Sequence, residues 1–108
     1  MPSTAVLEAL AAFVEERDWA QFHSGANLAK SVVIESGELL ELFQWTDEAP
    51  RDDVAAELAD VLSYCYLLAM KLDLDPDKIV LDKLEETRVK YPVEKARGRS
   101  EKYDQLPD

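Results

Sequence analysis

With 108 residues, 47% of them hydrophobic, the chain is long enough for one core, too short for a second, and too apolar for disorder. A formal net charge of −11 argues against a nucleic-acid polymer as partner, because a phosphate backbone calls for a basic footprint. No stretch approaches the roughly 18 consecutive apolar residues of a membrane span. A basic flank with an apolar block is missing at the N-terminus, and the single cysteine, Cys65, leaves no internal disulfide, so a cytoplasmic location and no membrane partner are expected.

In chain order, every periodic segment reads helical. A first helix is predicted from about Thr4 to Asp18, with Ser3 as its cap and Val6, Leu7, Leu10 and Val14 facing inward. A short aromatic segment follows, Trp19 to His23. Ser24 caps a second helix running to about Trp45, and Thr46 to Pro50 form a turn. A third helix starts at Pro50 and ends near Leu72. Asp75-Pro76 opens a fourth, which must stop by Tyr91 because Pro92 disfavours its continuation. The expected fold class is all-α, a compact four-helix bundle. Apolar residues lie on more than one face of helices two and three (Val33 and Leu40; Tyr66, Leu67 and Met70). Helices apolar nearly all round need covering, so a homo-oligomer, a homodimer or homotetramer, is expected. Cys65, in mid-stripe, reads as core.

Four carboxylates break this pattern. Glu35 and Glu38 lie three apart in helix two, and Glu57 and Asp60 three apart in helix three, so each pair projects from one side of its helix. Glu35 falls inside the stripe Leu28, Val32, Leu39, Leu42, Trp45, where a leucine would be expected. Glu57 and Asp60 border the stripe Val54, Leu58, Val61, Cys65, Leu68, Leu72. Carboxylates facing a core are costly unless paired or metal-bound, and four together call for a divalent cation. An all-oxygen set suits hard cations, Mg²⁺ first, with Mn²⁺ a substitute. The only histidine, His23, lies outside both pairs, which disfavours zinc and di-iron. Gly37 between Glu35 and Glu38 suggests a close backbone approach or crowding near the carboxylates. Glu8, Glu41 and Glu48 read as solvated surface.

Two further features bear on a ligand. Trp19, Phe22, His23 and Trp45 bracket helix two, and Tyr64 lies one turn beyond Asp60. These residues serve either as ordinary core or as stacking platforms for a nucleobase. Six of the twelve basic residues fall between Arg88 and Lys102, in a tail that is either solvated or phosphate-facing. A domain over residues 1–92 and a basic tail over 93–108 are the expected organisation.

The order Glu35-x-x-Glu38, then Glu57-x-x-Asp60, resembles the MazG-like all-α nucleoside triphosphate pyrophosphohydrolases, and within them the dCTP pyrophosphatase group. Arg17-Asp18-Trp19, Phe22-His23, Asn27-Leu28, Leu42-Phe43-Gln44-Trp45, Lys83, Arg88 and Tyr91-Pro92 carry the likeness further, over about residues 7 to 98. The resemblance implies Mg²⁺-dependent cleavage of a nucleoside triphosphate, dCTP or a modified dCTP, to the monophosphate and pyrophosphate. It gives Glu35, Glu38, Glu57 and Asp60 the metal and the catalytic work on water. It gives Trp19, Phe22, His23, Trp45 and Tyr64 the base and sugar, and Lys83 and Arg88 the leaving pyrophosphate. The sequence departs from the group at Leu10, where vertebrate members have a histidine, and at Thr87, where many relatives have asparagine; a leakier cytosine preference is expected. The competing readings are a broad dNTP or dUTP pyrophosphatase and a non-catalytic helical interaction module.

Overall fold

A computed structural model describes residues 4–106. Helices α1 (Thr4–Glu16), α2 (Gly25–Glu41), α3 (Arg51–Lys71), α4 (Pro76–Lys90) and the single turn α5 (Val93–Ala96) are joined by short loops, with 3₁₀ turns at Ala20–Phe22 and Tyr103–Gln105 and no strand among the described residues. The chain divides into two compact units between Asp75 and Pro76. Four long helices are thus present as the periodicity predicts; the expected cap at Ser3 lies outside the described residues.

In the first unit α2 packs along α3, and α1 rests on α3 more sparingly. Leu28 is 1% exposed, and Val14 and Ala69 are the other buried hydrophobics among the described residues. The first stripe holds through Val32, Leu39 and Leu42, which are half-buried. It fails at Trp45, which is 89% exposed. The reason is local. After Glu41 the amides of Leu42, Phe43 and Gln44 bond the carbonyls three residues back, at 3.2, 2.9 and 3.3 Å, so the helix tightens and stops. On α3 the residues seven apart, Leu58, Cys65 and Leu72, are exposed. Cys65 is therefore surface rather than core within this chain, whereas the neighbouring positions Val61 and Leu68 are half-buried. Val6 also faces outward.

The ends of α1 and α3 share a feature that composition hides. Asp18 and Asp73 have φ of 55° and 57°, the left-handed conformation usually left to glycine. At each, two bonds close the helix: Asp18 N–H to Glu15 O and Trp19 N–H to Val14 O, both 3.1 Å; Asp73 N–H to Met70 O and Leu74 N–H to Ala69 O, at 3.1 and 2.8 Å. This is the Schellman pattern with aspartate in the glycine place. The first instance turns the chain so that Trp19 meets Phe13 edge to face, centroids 5.5 Å apart, with the Arg17 guanidinium 3.7 Å over the Phe13 ring. Ser24 then caps α2 as expected, its hydroxyl accepting from Asn27 N–H at 3.1 Å.

In the second unit α4 carries surface pairs along its own length, Lys78–Asp82 at 2.7 Å and Arg88–Glu85 at 3.0 Å among them, each worth about 0–1 kcal/mol. Its tail is ordered by side chains. Tyr103 packs edge-on against Tyr91, Lys90 sits 5.0 Å over the Tyr103 ring, and Arg99 grips Glu101 with two bonds of 3.1 and 2.8 Å.

Asp18 gives a direct test of the α1 turn. A β-branched residue there meets a steric cost of about 1–2 kcal/mol. Asp18→Val should lower the urea unfolding free energy by that amount, whereas Asp18→Asn, which tolerates the left-handed region, should change it by only a few tenths.

Candidate active site

Packing α2 along α3 brings three carboxylates to one point. Oxygens of Glu35, Glu57 and Asp60 lie within 4.8 Å of one another. Glu35 and Glu57 are half-buried, and Asp60 is exposed. Glu38, one turn along α2, acts on the carboxyls of both Glu35 and Glu57 by charge and hydrogen bonding, raising each. All four sequence-predicted acids thus meet.

The electrostatics follow from that crowding. Glu35 is pushed up to about 7 from an ordinary 4.5, first by the Glu38 hydrogen bond, then by desolvation and by the charges of Glu38, Asp60 and Glu57. Glu57 is raised by desolvation and by Glu38 and Asp60, with a smaller push from Glu41. Glu41, read from the sequence as plain surface, thus belongs to the field of the site. Its place three residues after Glu38 was the available signal. One oxygen each of Glu35 and Glu57, both Oε2, is buried without a hydrogen-bond partner. Orphaned buried carboxylate oxygens are costly, and two of them in an all-oxygen cluster fit a hard divalent cation. Gly37 does not mark a close approach: a Cβ built there meets nothing within 4 Å, since this residue faces solvent beside the cluster.

A cavity of about 330 Å³ opens beside Asp60. Trp19, His23 and Tyr64 line it together with Asp60, so three of the five aromatic or imidazole candidates gather here. The other two are elsewhere: Phe22 is 61% exposed and Trp45 89%, and neither lines this cavity. Leu10, Phe13 and Val14 supply its apolar wall from α1, and Ser63 joins from α3. Phe13 and Ser63 escaped the sequence reading, although Ser63 is three residues beyond Asp60 and so shares its face. A second cavity, of about 370 Å³, shares His23 with the first and is lined also by Glu15, Asp18 and Lys71. Lys83 and Arg88 sit on α4 in the second unit, paired with Glu86 at 3.2 Å and Glu85 at 3.0 Å. The Lys83 ammonium holds Glu86 below the usual carboxylate range.

A model of the MazG-like family matches residues 30–106, which include all four carboxylates. The chain belongs to the MazG-like family. Among curated proteins it resembles dCTP pyrophosphatase 1 of Homo sapiens, 43% identical, and of Rattus norvegicus, 42% identical, each over 90% of this chain. It spans 63% of the length of either relative. Among solved structures it resembles a pyrophosphatase from Archaeoglobus fulgidus with a TM-score of 0.78 and 36% identity, covering 82% of this chain and 90% of that one. The likeness read in the sequence to the MazG-like family is matched by the family model, and the likeness within it to the dCTP pyrophosphatase group by the curated relatives. No helix among the described residues is long and apolar enough to cross a membrane.

The raised acids set a pH dependence. A carboxyl whose folded pKa exceeds its unfolded value binds its proton more tightly when folded. Its stabilisation is complete below the unfolded pKa and disappears as pH climbs through the folded one. For Glu35 that window runs from 4.5 to about 7. Calorimetry in chelator should therefore show the melting temperature falling across this range. Glu35→Gln should flatten the fall, and a divalent cation should oppose it by replacing the proton as the balancing charge.

Proposed function

We propose that this chain is a divalent-cation-dependent nucleoside triphosphate pyrophosphohydrolase, acting on dCTP or a base-modified dCTP to give the monophosphate and pyrophosphate. The observation that carries the reading is the pair of orphaned carboxylate oxygens on Glu35 and Glu57, gathered with Asp60, which also lines an aromatic cavity. A helical interaction module gains nothing from burying unpartnered acids, so that alternative has the weaker physical case.

Glu35, Glu38, Glu57 and Asp60 would hold the cation, with Mg²⁺ the natural choice for an all-oxygen set and Mn²⁺ its substitute. When bound, the cation supplies charge neutralisation for the triphosphate and lowers the pKa of water. The chain's own part is to orient. One carboxylate of the four aligns water for attack on the α-phosphorus and accepts its proton. The bond from that phosphorus to the bridging oxygen breaks, and pyrophosphate leaves with the electron pair. Trp19 and Tyr64 would wall the base, the kind of contact worth about 1–3 kcal/mol, with His23 at its edge or sugar. Phe22 and Trp45, exposed in this chain, would join them only once another surface covers them. Lys83 and Arg88 are assigned to the phosphates on the family resemblance. In this reading residues 1–92 form the hydrolase domain and 93–108 a basic tail.

A broader dNTP or dUTP pyrophosphatase is the second reading, favoured by Leu10. It lines the cavity and offers no hydrogen bond to a base edge, so some leakage among bases is expected.

A nucleoside triphosphate panel assayed for pyrophosphate release tests the activity. Turnover should need Mg²⁺ or Mn²⁺, favour dCTP, and fall at least about a hundredfold in Glu38→Gln, the scale of losing one electrostatic group at a reacting centre. Full activity in that variant, with helicity preserved, would remove the quartet from the chemistry.

The same reading includes self-association. Val33, Ile34 and Leu40 on α2, with Leu58 and Leu62 on α3, are exposed, more apolar surface than isolated faces usually leave to water. Light scattering at micromolar concentration should report at least a dimer, with homotetramer the larger alternative. A monodisperse monomer would contradict it.

A further inference from the structure

We infer that Ser63 is a specificity-determining residue of the cavity, selecting a base that presents an exocyclic amino group over one that presents a carbonyl at the same place. The inference rests on the proposed nucleotide activity and says which base edge the cavity prefers.

Ser63 lines the cavity one turn beyond Asp60 and next to Tyr64, half-buried. Its hydroxyl donates to the Ala59 carbonyl at 2.8 Å. A serine hydroxyl has one proton and two lone pairs. With the proton given to the helix backbone, what Ser63 offers the cavity is an acceptor. The cavity's other polar groups do not make this choice. Trp19 can only donate, and Asp60 belongs to the carboxylate cluster. His23 and the Tyr64 hydroxyl can each donate or accept by changing tautomer or rotor, so neither fixes the sign of its partner.

An amino group on the base satisfies the Ser63 lone pairs directly. A carbonyl oxygen there sets lone pair against lone pair, unless Ser63 rotates and abandons Ala59. That rotation gives up the 2.8 Å bond to the Ala59 carbonyl, so a carbonyl on the base is accommodated with one neutral hydrogen bond fewer than an amino group. Cytosine and its ring-substituted forms carry the amino group; uracil and thymine carry the carbonyl. Selection by a single neutral hydrogen bond is modest, of the order of tenfold. That fits a pocket in which Leu10 gives no second polar contact.

The test compares kcat/KM for dCTP and dUTP in the wild-type chain, in Ser63→Ala and in Ser63→Thr. It adds calorimetric binding of dCMP and dUMP to each, with circular dichroism to establish that the helices are intact. Ser63→Ala should lower the dCTP-to-dUTP ratio about tenfold and weaken dCMP binding more than dUMP binding. Ser63→Thr, which keeps a hydroxyl able to bond the carbonyl four residues back, should hold the ratio near the wild-type value. An active Ser63→Ala with an unchanged ratio overturns the inference alone. So does a wild-type chain that does not distinguish the two nucleotides, or a threonine variant that loses the ratio as alanine does. A wild-type chain that hydrolyses no triphosphate overturns the activity itself and carries this inference down with it.

Discussion

The repulsion among four carboxylates held between two packed helices is the constraint around which the first unit is arranged. Glu35 and Glu57 each keep a buried oxygen without a partner, and Glu38 leans on both. A packed apolar pair at these positions would serve stability better, because an unpaired buried charge is among the more expensive things a fold can contain. The helices α2 and α3 nevertheless make the most extensive contact in the chain. Their packing holds the acids together against a force that would part them, so the cluster's geometry is prepared in advance of any ligand.

The cavity depends on that same packing at one remove. Asp60 belongs to both the cluster and the cavity wall, so the space among Trp19, His23 and Tyr64 adjoins the acids. The far wall is set by the reversal after α1. There Asp18 takes the left-handed conformation and Trp19 turns against Phe13. A charged residue performs a glycine's task at this bend, and Gln21 Nε2 bonds both its carbonyl and its carboxylate at 3.0 and 3.1 Å.

Much of this was legible from spacing. Glu35 interrupting an apolar stripe, and a second acidic pair at the same interval on the next helix, foretold the cluster, because side chains three apart share a helix face. Proline and serine signals located the starts of α2 and α4. What spacing could not supply was where a helix gives way. The stripe from Leu28 continues to Trp45 on paper, yet the hydrogen bonding tightens after Glu41 and leaves Trp45 in solvent. Cys65 likewise repeats at the right interval for a core, but which side of α3 is covered depends on where α2 crosses it. The partners of Phe13 and Ser63 were hidden for a different reason: a cavity wall assembled from α1 and α3 joins residues some fifty positions apart, beyond the reach of any local period.

The two tryptophans end up in unlike surroundings, Trp45 at 89% exposure and Trp19 at 43% beside Phe13. An indole in water emits at longer wavelength than one partly withdrawn from it, and a small quencher reaches the first more readily. The chain therefore carries two optical reporters in unlike surroundings. Trp45 senses whatever covers the outer end of α2, and Trp19 senses whatever enters the cavity. Single-tryptophan variants would let each indole be followed on its own, without a label, one variant at a time.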